Sequence, residues 1–330
     1  MPSITLSVLD QSPVSEGMSG GDALGNSIDL GQFVDRLGYT RYWVAEHHGT
    51  RMLAGTSPEI LIGPIAAASR RIRVGSGGVM LPHYSPFKVA ENFSVLSALY
   101  PGRIDLAVGR AAGTDPATAY VLQRDRRHAA PDDFPEQLVE LLAYVRDGLP
   151  PAHRFARLAH LAGDPERPQP WLLGSSPQSA VWASELGLPY AFADFINPNG
   201  AEAARRYRAT FTPSAVQPHP YVVVAVWALA ADSGDEAEYL ASSARMAFAH
   251  FLQGQPIPVP PPDRAMTFLR ESPELAVEVA RRRRAIVGDA VSVRAAIAQV
   301  IAEYQADEAM VVTITSDHQA RRRSYELLAG

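Results

Sequence analysis

The chain has 330 residues, of which 47% are hydrophobic and 20% are charged, and its formal net charge at pH 7 is −5. This composition is ordinary for a globular protein with a large core, and the acidic balance argues against a nucleic-acid-binding surface. The absence of cysteine excludes disulfides, thiolate nucleophiles and cysteine-ligated zinc or iron–sulfur sites. No apolar run reaches membrane-spanning length and no secretory signal is recognisable, so we expect a cytoplasmic protein without membrane association.

Strand-like and helix-like segments alternate along the chain. Eight short apolar segments have the pattern of buried strands, and they are Ile4–Leu9, Arg41–Ala45, Ile72–Gly75, Ile104–Val108, Trp171–Gly174, Tyr190–Ala193, Tyr221–Ala230 and Ala309–Thr315. Amphipathic stretches of helical period separate them, such as Ser27–Leu37, which ends before Gly38 as its C′ glycine. Eight β-α units predict the α/β class and a closed (β/α)8 TIM barrel, which we expect to occupy residues 1–330 as one domain.

Two parts of the chain depart from this alternation, and we interpret both as insertions. They lie near residues 111–168, which contain a predicted helix at Asp133–Val145, and near residues 251–286. The prolines concentrated in Phe251–Arg264 predict an extended surface segment. The consecutive arginines Arg281–Arg284 fall in a helical pattern, and we interpret them as a helix face directed to solvent or to a partner.

The unit between residues 71 and 110 predicts a strand, a glycine-rich turn, a helix and a second strand. The strand Ile72–Gly75 leads into the turn Ser76–Gly78, where bare backbone leaves room for a flat ligand. Arg110 follows the second strand of this unit. The carboxyl ends of parallel strands are where α/β proteins place their ligands and their chemistry.

A second motif follows the strand Trp171–Gly174. Ser176 at the N-cap and Pro177 at the first helical position leave free N–H groups at the start of a helix. This arrangement is either simply a well-capped helix or a phosphate site. Arg110 at the end of a neighbouring strand could supply a guanidinium group, and the two features together predict a clamp for one phosphate monoester.

The two histidines at the end of the second strand, His47 and His48, have three interpretations. They could ligate a metal, but adjacent side chains on an extended segment point apart and a second carboxylate-rich cluster is missing, so we expect no metal site. A histidine at a barrel mouth could act as a general acid or base near neutral pH, or both could be hydrogen-bonded loop residues. His48, His83 and Tyr84 are candidates for a substrate pocket, although the segment with His83 and Tyr84 could equally hold a loop in place.

Five sequence blocks form a specific combination that covers nearly the whole chain. They are LSVLDQSPV, RYWVAEHH, IRVGSGGVMLPHYSPFKVAE, PGRIDLAVGR and LLGSSPQSAVWASELGLP. Together they resemble the bacterial-luciferase-like flavin-dependent monooxygenases. The resemblance implies a luciferase-like barrel, commonly a homodimer, that holds reduced FMN at the carboxyl ends of its strands. It also implies a separate flavin reductase that supplies the reduced FMN.

The resemblance implies where the flavin phosphate would bind. By position, Arg110 would bind the phosphate, with help from the side chains of Ser176 and Ser179. Gly174 and Ser175 would add contacts from the backbone. These positions coincide with the clamp that the helix start predicts.

The resemblance also implies residues for the flavin ring and for catalysis. Ser76 and Gly77 would support the isoalloxazine ring, and a non-proline cis peptide bond would join them. His47 matches the histidine implicated in catalysis in the luciferases. Gly109 stands where the luciferases have a reactive cysteine, so thiol-linked behaviour is not expected.

The activity implied by the resemblance is a monooxygenation. Reduced FMN and dioxygen would oxidise a small organic substrate through a C4a-peroxyflavin in a water-poor pocket, with His47 moving a proton. The first rival hypothesis is a deazaflavin-dependent hydride-transfer oxidoreductase, which shares the barrel and the cis peptide. The second is a non-catalytic flavin-binding relative, and the third is a metal-dependent barrel hydrolase.

Overall fold

The computed structural model describes residues 4–110, 114–129, 132–158 and 161–330. The strands in these residues are β1 (Leu6–Asp10), β2 (Arg41–Val44), β3 (Arg73–Met80), β4 (Ile104–Gly109), β5 (Gln169–Gly174), β6 (Tyr190–Ala193), β7 (Val222–Ala231), β8 (Ala285–Asp289) and β9 (Glu308–Val312). The α-helices are α1 (Gly20–Leu37), α2 (Pro58–Ala68), α3 (Pro86–Leu99), α4 (Pro116–Leu122), α5 (Phe134–Leu142), α6 (Pro177–Glu185), α7 (Ala201–Thr210), α8 (Gly234–Leu252), α9 (Pro262–Glu271), α10 (Pro273–Arg282), α11 (Ala290–Tyr304) and α12 (His318–Ala329). Short segments of other helical type lie at Leu81–His83, Ala143–Asp147 and Ala156–Leu158.

Eight strands close into a parallel barrel, which confirms the predicted (β/α)8 fold. They pair in the order β1, β2, β3, β4, β5, β6, β7 and β9, and β9 returns to β1. The additional strand β8 pairs with the second half of β7, where Ala231 lies opposite Asp289. Strand β8 is not among the predicted strands, because it begins within the segment interpreted as an insertion and its apolar centre is short, at Ile286 and Val287.

The first helix starts earlier than the sequence pattern predicts. α1 begins at Gly20 rather than at Ser27, because Ser19 and Asp22 form a capping box. The Asp22 N–H donates to the Ser19 hydroxyl at 3.1 Å, and the Ser19 N–H donates to the Asp22 carboxylate at 2.9 Å. Gly38 has a φ of 85°, which confirms it as the glycine that ends this helix.

The interior of the barrel is charged near the amino ends of the strands. Arg41 lies 2.9 Å from Asp105 and 3.2 Å from Glu308, and Arg73 lies 2.6 Å from Asp105. Both carboxylates are fully buried. This ion-pair network fills the barrel at the end where parallel barrels place residues that stabilise the fold rather than perform chemistry.

Towards the carboxyl ends of the strands, the side chains in the barrel interior become apolar and then, at several positions, small. In the middle of the barrel, the rings of Trp43 and Trp171 pack edge to face with their centres 5.2 Å apart. Further along the strands, several inward positions carry small side chains or none, namely Ala45, Gly77, Gly109 and Ala193, and the side chains of Leu9, Trp43 and Leu173 pack beside the two glycines. A cavity of about 360 Å³ lies at this end of the barrel.

Parts of both segments interpreted as insertions serve the barrel itself. The first, 111–168, includes residues 111–113, 130–131 and 159–160, which lie outside the described residues, and its helix α5 packs on α3. In the second segment the longest irregular stretch is residues 253–261, between α8 and α9. The Val259 N–H donates to the Val14 carbonyl at 2.8 Å, and the Glu16 N–H donates to the Val259 carbonyl at 2.9 Å. The proline-rich segment is therefore fixed to the loop after β1 instead of lying free on the surface.

Candidate active site at the carboxyl end of the barrel

The predicted glycine-rich turn is wrong, because residues 76–78 lie within strand β3. Ser76 is fully buried, and its hydroxyl donates to the Ala107 carbonyl at 2.8 Å and accepts the Ala107 N–H at 3.1 Å. These two bonds hold Ser76 in the ladder with β4. The non-proline cis peptide bond joins Gly77 to Gly78, one residue later than the resemblance implied for Ser76 and Gly77.

The two glycines of the cis peptide bond have no room for side chains. A Cβ atom on Gly77 would lie 2.5 Å from Leu9 Cδ1 and 3.0 Å from Trp43 Cβ. On Gly78 it would lie 2.5 Å from Leu173 Cδ2. The interior side chains of Leu9, Trp43 and Leu173 therefore pack directly against the backbone of these two glycines.

The helix after β5 begins as the sequence predicts. Ser176 is the N-cap residue of α6 and Pro177 is its first residue, but the Ser176 hydroxyl makes no capping hydrogen bond. The turn before the helix is fixed by Asn197, whose side-chain N–H donates to the Ser175 carbonyl at 2.9 Å. The first N–H groups of α6 and the Ser176 hydroxyl are consequently available to an external anion.

Arg110 lies beside the same helix. Its guanidinium carbon is 5.6 Å from the centre of the Trp182 ring, which belongs to α6. Val108 of β4 lies opposite Leu172 of β5, so Arg110 and Gly174 leave the two neighbouring strands at the same level. Arg110 therefore lies against the flank of α6 and leaves β4 at the level of the turn into that helix, and the phosphate clamp stays a prediction.

Ser179 has a different position from the one implied by the resemblance. Its hydroxyl donates to the Ser176 carbonyl at 2.7 Å and lies 2.9 Å from the Tyr190 hydroxyl. Gly174 makes this contact feasible, because a Cβ atom on Gly174 would lie 2.3 Å from the Ser179 oxygen. The Ser179 side chain therefore shapes the turn, and in this arrangement it has no proton to offer to a phosphate.

His47 lines a cavity of about 360 Å³ at the barrel mouth, which we call the mouth cavity. The Nδ1 atom of His47 is buried and has no hydrogen-bond partner, while its backbone N–H donates to the Gly55 carbonyl at 2.8 Å. Burial lowers the pKa of His47 to about 4, and the neighbouring His48 adds to this effect. The ring is therefore neutral at neutral pH, with one nitrogen able to donate and the other able to accept a hydrogen bond.

The other candidates for the substrate pocket surround the buried carboxylate of Glu46. This carboxylate accepts the Tyr84 hydroxyl at 2.8 Å and the Met80 N–H at 2.9 Å, and it pairs with His48 Nε2 at 2.8 Å. The His83 ring lies 6.1 Å from the His48 ring and 6.4 Å from the Tyr84 ring. The structure brings these three residues together, but none of them lines the mouth cavity. Their contacts favour the interpretation that they hold the loop in place.

The apolar wall of the mouth cavity is not among the features predicted from the sequence. Its largest members are Phe195, Phe248, Phe251, Leu252 and Ile314. Three of them lie on α8 at positions 248, 251 and 252, which is the spacing of one helical face. That spacing, directly before the proline-rich segment fixed to the barrel mouth, is the signal from which the wall could have been predicted.

The interpretation of Arg281–Arg284 as a helix face directed to solvent or to a partner is wrong for Arg283 and Arg284, which lie beyond the end of the helix. Helix α10 ends at Arg282, and Arg283 follows in an extended conformation. The Arg283 guanidinium lies over the Phe248 ring, 3.8 Å from its centre, and borders the mouth cavity. A change from helix to extended backbone within the run therefore turns this side chain inward.

Two further features bear on the kind of site. Among the described residues, no three histidine or carboxylate side chains are grouped closely enough to hold a metal ion. In the same part of the chain, no helix combines the length and the apolar character that a membrane crossing requires. The donors at the barrel mouth are instead N–H groups, hydroxyls and a guanidinium, a set that suits an anion.

Comparison with known proteins agrees with this chemistry. The family profile of the luciferase-like monooxygenases matches residues 4–308. A luciferase-like monooxygenase of Escherichia coli is 40% identical over 98% of this chain and 96% of its own length. The N-acetyl-S-alkylcysteine monooxygenase of Bacillus subtilis is 36% identical over 99% of this chain and 97% of its own length.

Solved structures give the same fold over the whole chain. The crystal structure of apo-MsnO8 superposes with a TM-score of 0.86 at 38% identity and covers 99% of this chain and 98% of its own. Two more distant barrels, at 17% and 14% identity, were solved with FMN and with an F420–acetone adduct, respectively, and they support the fold alone. With the profile, the relatives and the site geometry in agreement, this chain is a member of the luciferase-like monooxygenase family.

Proposed function

We propose that the protein is a monooxygenase that uses reduced FMN and dioxygen to oxidise a small organic substrate at the barrel mouth. The observation that carries this proposal is that Arg110 follows β4 at the level where β5 leads into the uncapped start of α6. A cation next to free helix N–H groups is suited to the phosphate of a mononucleotide. The name of the cofactor in one distant structure of this fold, FMN, supports the same assignment.

The residues present fit a flavin mononucleotide. Arg110, the Ser176 hydroxyl and the first N–H groups of α6 would hold its phosphate. Gly77 and Gly78 would contact its ring through their peptide backbone alone, because Leu9, Trp43 and Leu173 already pack where a Cβ atom on either glycine would lie. When bound, reduced flavin would supply the two electrons with which dioxygen inserts one oxygen atom into a substrate and releases the other as water.

His47 would handle a proton in this site. Its buried, unpaired Nδ1 lies at the wall of the mouth cavity, and the neutral ring can hold a proton at one nitrogen and a lone pair at the other. The apolar wall formed by Phe195, Phe248 and Ile314 would exclude water from the reacting groups. The chain would thus bind and orient the cofactor, keep the pocket dry and move one proton.

The phosphate clamp can be tested by comparing FMN with riboflavin, which lacks the phosphate. We expect wild type to bind FMN more tightly than riboflavin, and Arg110→Ala to weaken FMN binding roughly 10- to 100-fold while leaving riboflavin binding almost unchanged. Flavin fluorescence titration measures both affinities. The matched control is Arg36→Ala, which removes another exposed arginine stacked on an aromatic ring, Phe33. Equal loss of FMN and riboflavin affinity in Arg110→Ala would refute the clamp.

A second experiment distinguishes the monooxygenase from its rivals. A flavin reductase supplies reduced FMN, and oxygen uptake and ¹⁸O incorporation are measured with N-acetyl-S-alkylcysteines as first substrates, a choice suggested by the 36% identical relative. Incorporation of ¹⁸O supports the monooxygenase. Binding of reduced deazaflavin in preference to reduced FMN would support the hydride-transfer enzyme, and binding without turnover would support a flavin-binding protein. The reductase, a homodimeric assembly and a cytoplasmic location belong to this proposal as well.

A further inference from the structure

Arg283 stands apart from the arginines around it. Arg281 and Arg282 both contact the carboxylate of Glu278, and Arg284 contacts Glu303 at 2.8 Å. Arg283 has no hydrogen bond and no ion pair within the described residues, and its Nε atom is buried without a partner. A partly buried cation without a counter-charge is costly, and an anionic ligand beside Arg283 would offset that cost.

The surroundings of Arg283 define where that ligand would lie. The side chain borders both the mouth cavity and a second cavity of about 560 Å³ between α8, α9, α10 and β8. Phe248 borders the same two cavities and covers one face of the guanidinium at 3.8 Å from the ring centre. The N–H donors of a guanidinium lie in its plane, so covering one face leaves its edge open for a fork-like contact with two oxygen atoms.

Burial lowers the pKa of Arg283 to about 10, so the group is still a cation at neutral pH. His47 lines the same mouth cavity, and the rest of its wall is mainly apolar. A molecule that fills this cavity therefore meets Arg283, one neutral imidazole, several apolar side chains and Arg282, whose charge is balanced by its ion pair with Glu278. Such a wall is complementary to an apolar body that carries a single negative charge.

We propose that Arg283 is a specificity-determining residue that binds the carboxylate of the substrate, so that the protein acts on carboxylic acids with an apolar chain. This assignment rests on the proposed monooxygenase function, which it deepens by naming the substrate class. The carboxylate accepts in-plane hydrogen bonds from the Arg283 guanidinium, and the apolar chain lies against Phe248 and Phe251. The remaining length of the molecule extends towards the wall that contains His47.

The test compares acids with their own primary amides, which have the same shape and no charge. The probes are N-acetyl-S-benzylcysteine and octanoate, each with its amide, and isothermal titration calorimetry measures their binding. We expect wild type to bind each acid roughly tenfold or more tightly than its amide, and Arg283→Gln to bind both equally. Arg283→Lys, which keeps the charge but loses the planar fork, should retain only part of the preference.

The matched control is Arg281→Gln, which removes a neighbouring arginine that does not border either cavity, and it should keep the full preference for the acid. A thermal denaturation series with the same probes gives an independent readout. Only the acids should raise the Tm of wild type, and for Arg283→Gln the Tm with each acid should equal the Tm with its amide. Equal affinity of wild type for acid and amide, or a preference that survives in Arg283→Gln, would overturn the proposal.

The same variants separate this proposal from the proposed function. Arg283→Gln should keep the preference for FMN over riboflavin, because Arg110 and α6 make that distinction. If wild type prefers acids but does not distinguish FMN from riboflavin, the proposed carboxylate site stands and the proposed phosphate clamp is refuted. If wild type prefers FMN over riboflavin but shows no preference for acids, only the proposed carboxylate site is refuted.

Discussion

Buried polar groups near the amino ends of the strands differ from those that line the mouth cavity in whether the protein itself satisfies them. At the amino end, the guanidinium of Arg41 contacts the carboxylates of both Asp105 and Glu308. At the carboxyl end, His47 Nδ1 and Arg283 Nε are buried without any partner. An unsatisfied buried group costs roughly 1–3 kcal/mol, so it is retained where a ligand completes it. The comparison separates the end that stabilises the fold from the end that binds.

The pKa values of the arginines show the same difference. Burial alone would lower the pKa of Arg41, but the attraction of Asp105 and Glu308 raises it above its usual value. Burial lowers the pKa of Arg283 to about 10, and no carboxylate of the described residues opposes the effect. The protein itself thus supplies the counter-charge for Arg41, whereas the described residues supply none for Arg283.

Removing the cation near the amino ends of the strands should have the largest effect on stability. Arg41→Met keeps much of the volume but leaves the buried carboxylates of Asp105 and Glu308 with one charge partner fewer. We expect a loss of about 3–5 kcal/mol in the free energy of unfolding, measured by urea denaturation. Arg36→Met on the exposed side of α1 is the control and should change stability by less than about 0.5 kcal/mol. A loss as small as that of the control would remove the stabilising role from this network.

A smaller effect is expected from adding one methyl group to the barrel interior at Gly77. In Gly77→Ala the new Cβ would press on Leu9 and Trp43, so we expect a loss of about 1–3 kcal/mol in the free energy of unfolding, again measured by urea denaturation. The control is Gly25→Ala in α1, where a Cβ meets nothing within 4 Å, and we expect a gain of about 0.5–1 kcal/mol. If the two variants had equal stability, the close approach at Gly77 would not constrain the backbone there.

Sequence patterns predict the barrel well because its signals are local. The eight barrel strands are short apolar runs, and the glycine that ends α1 and the proline that opens α6 act within a single turn. The strand β8 is different, because Ala285–Asp289 is partly exposed and is stabilised by pairing with β7. Ser76–Gly78 has the composition of a turn, and it is pairing with β4 that keeps this glycine-rich stretch extended.

The residues of the candidate site differ in the same way in how far the sequence predicts them. Arg110, Ser176 and His47 are predictable because each closely follows a strand, and strand ends meet at one face of a barrel. Arg283 is not, because its role depends on where the chain leaves α10 and on Phe248, 35 residues earlier in the sequence. A residue whose partner is distant in sequence, or is a ligand, leaves no periodic trace.

The smallest expected effect concerns the pH dependence that His47 imparts to stability. Its pKa is about 4 in the folded protein and about 6.5 in an unfolded chain, so between these values the unfolded state binds a proton that the folded state does not. Acidification from pH 7 to pH 5 therefore favours unfolding, and His47→Gln should lose about 1–2 kcal/mol less stability over this interval than wild type, measured by urea denaturation. His219→Gln changes an exposed histidine and should behave as wild type does. If wild type and His47→Gln lost equal stability, the ring of His47 would be hydrated rather than buried in its neutral form. His47 would then not be an unsatisfied buried group, and its contrast with Arg41 would disappear.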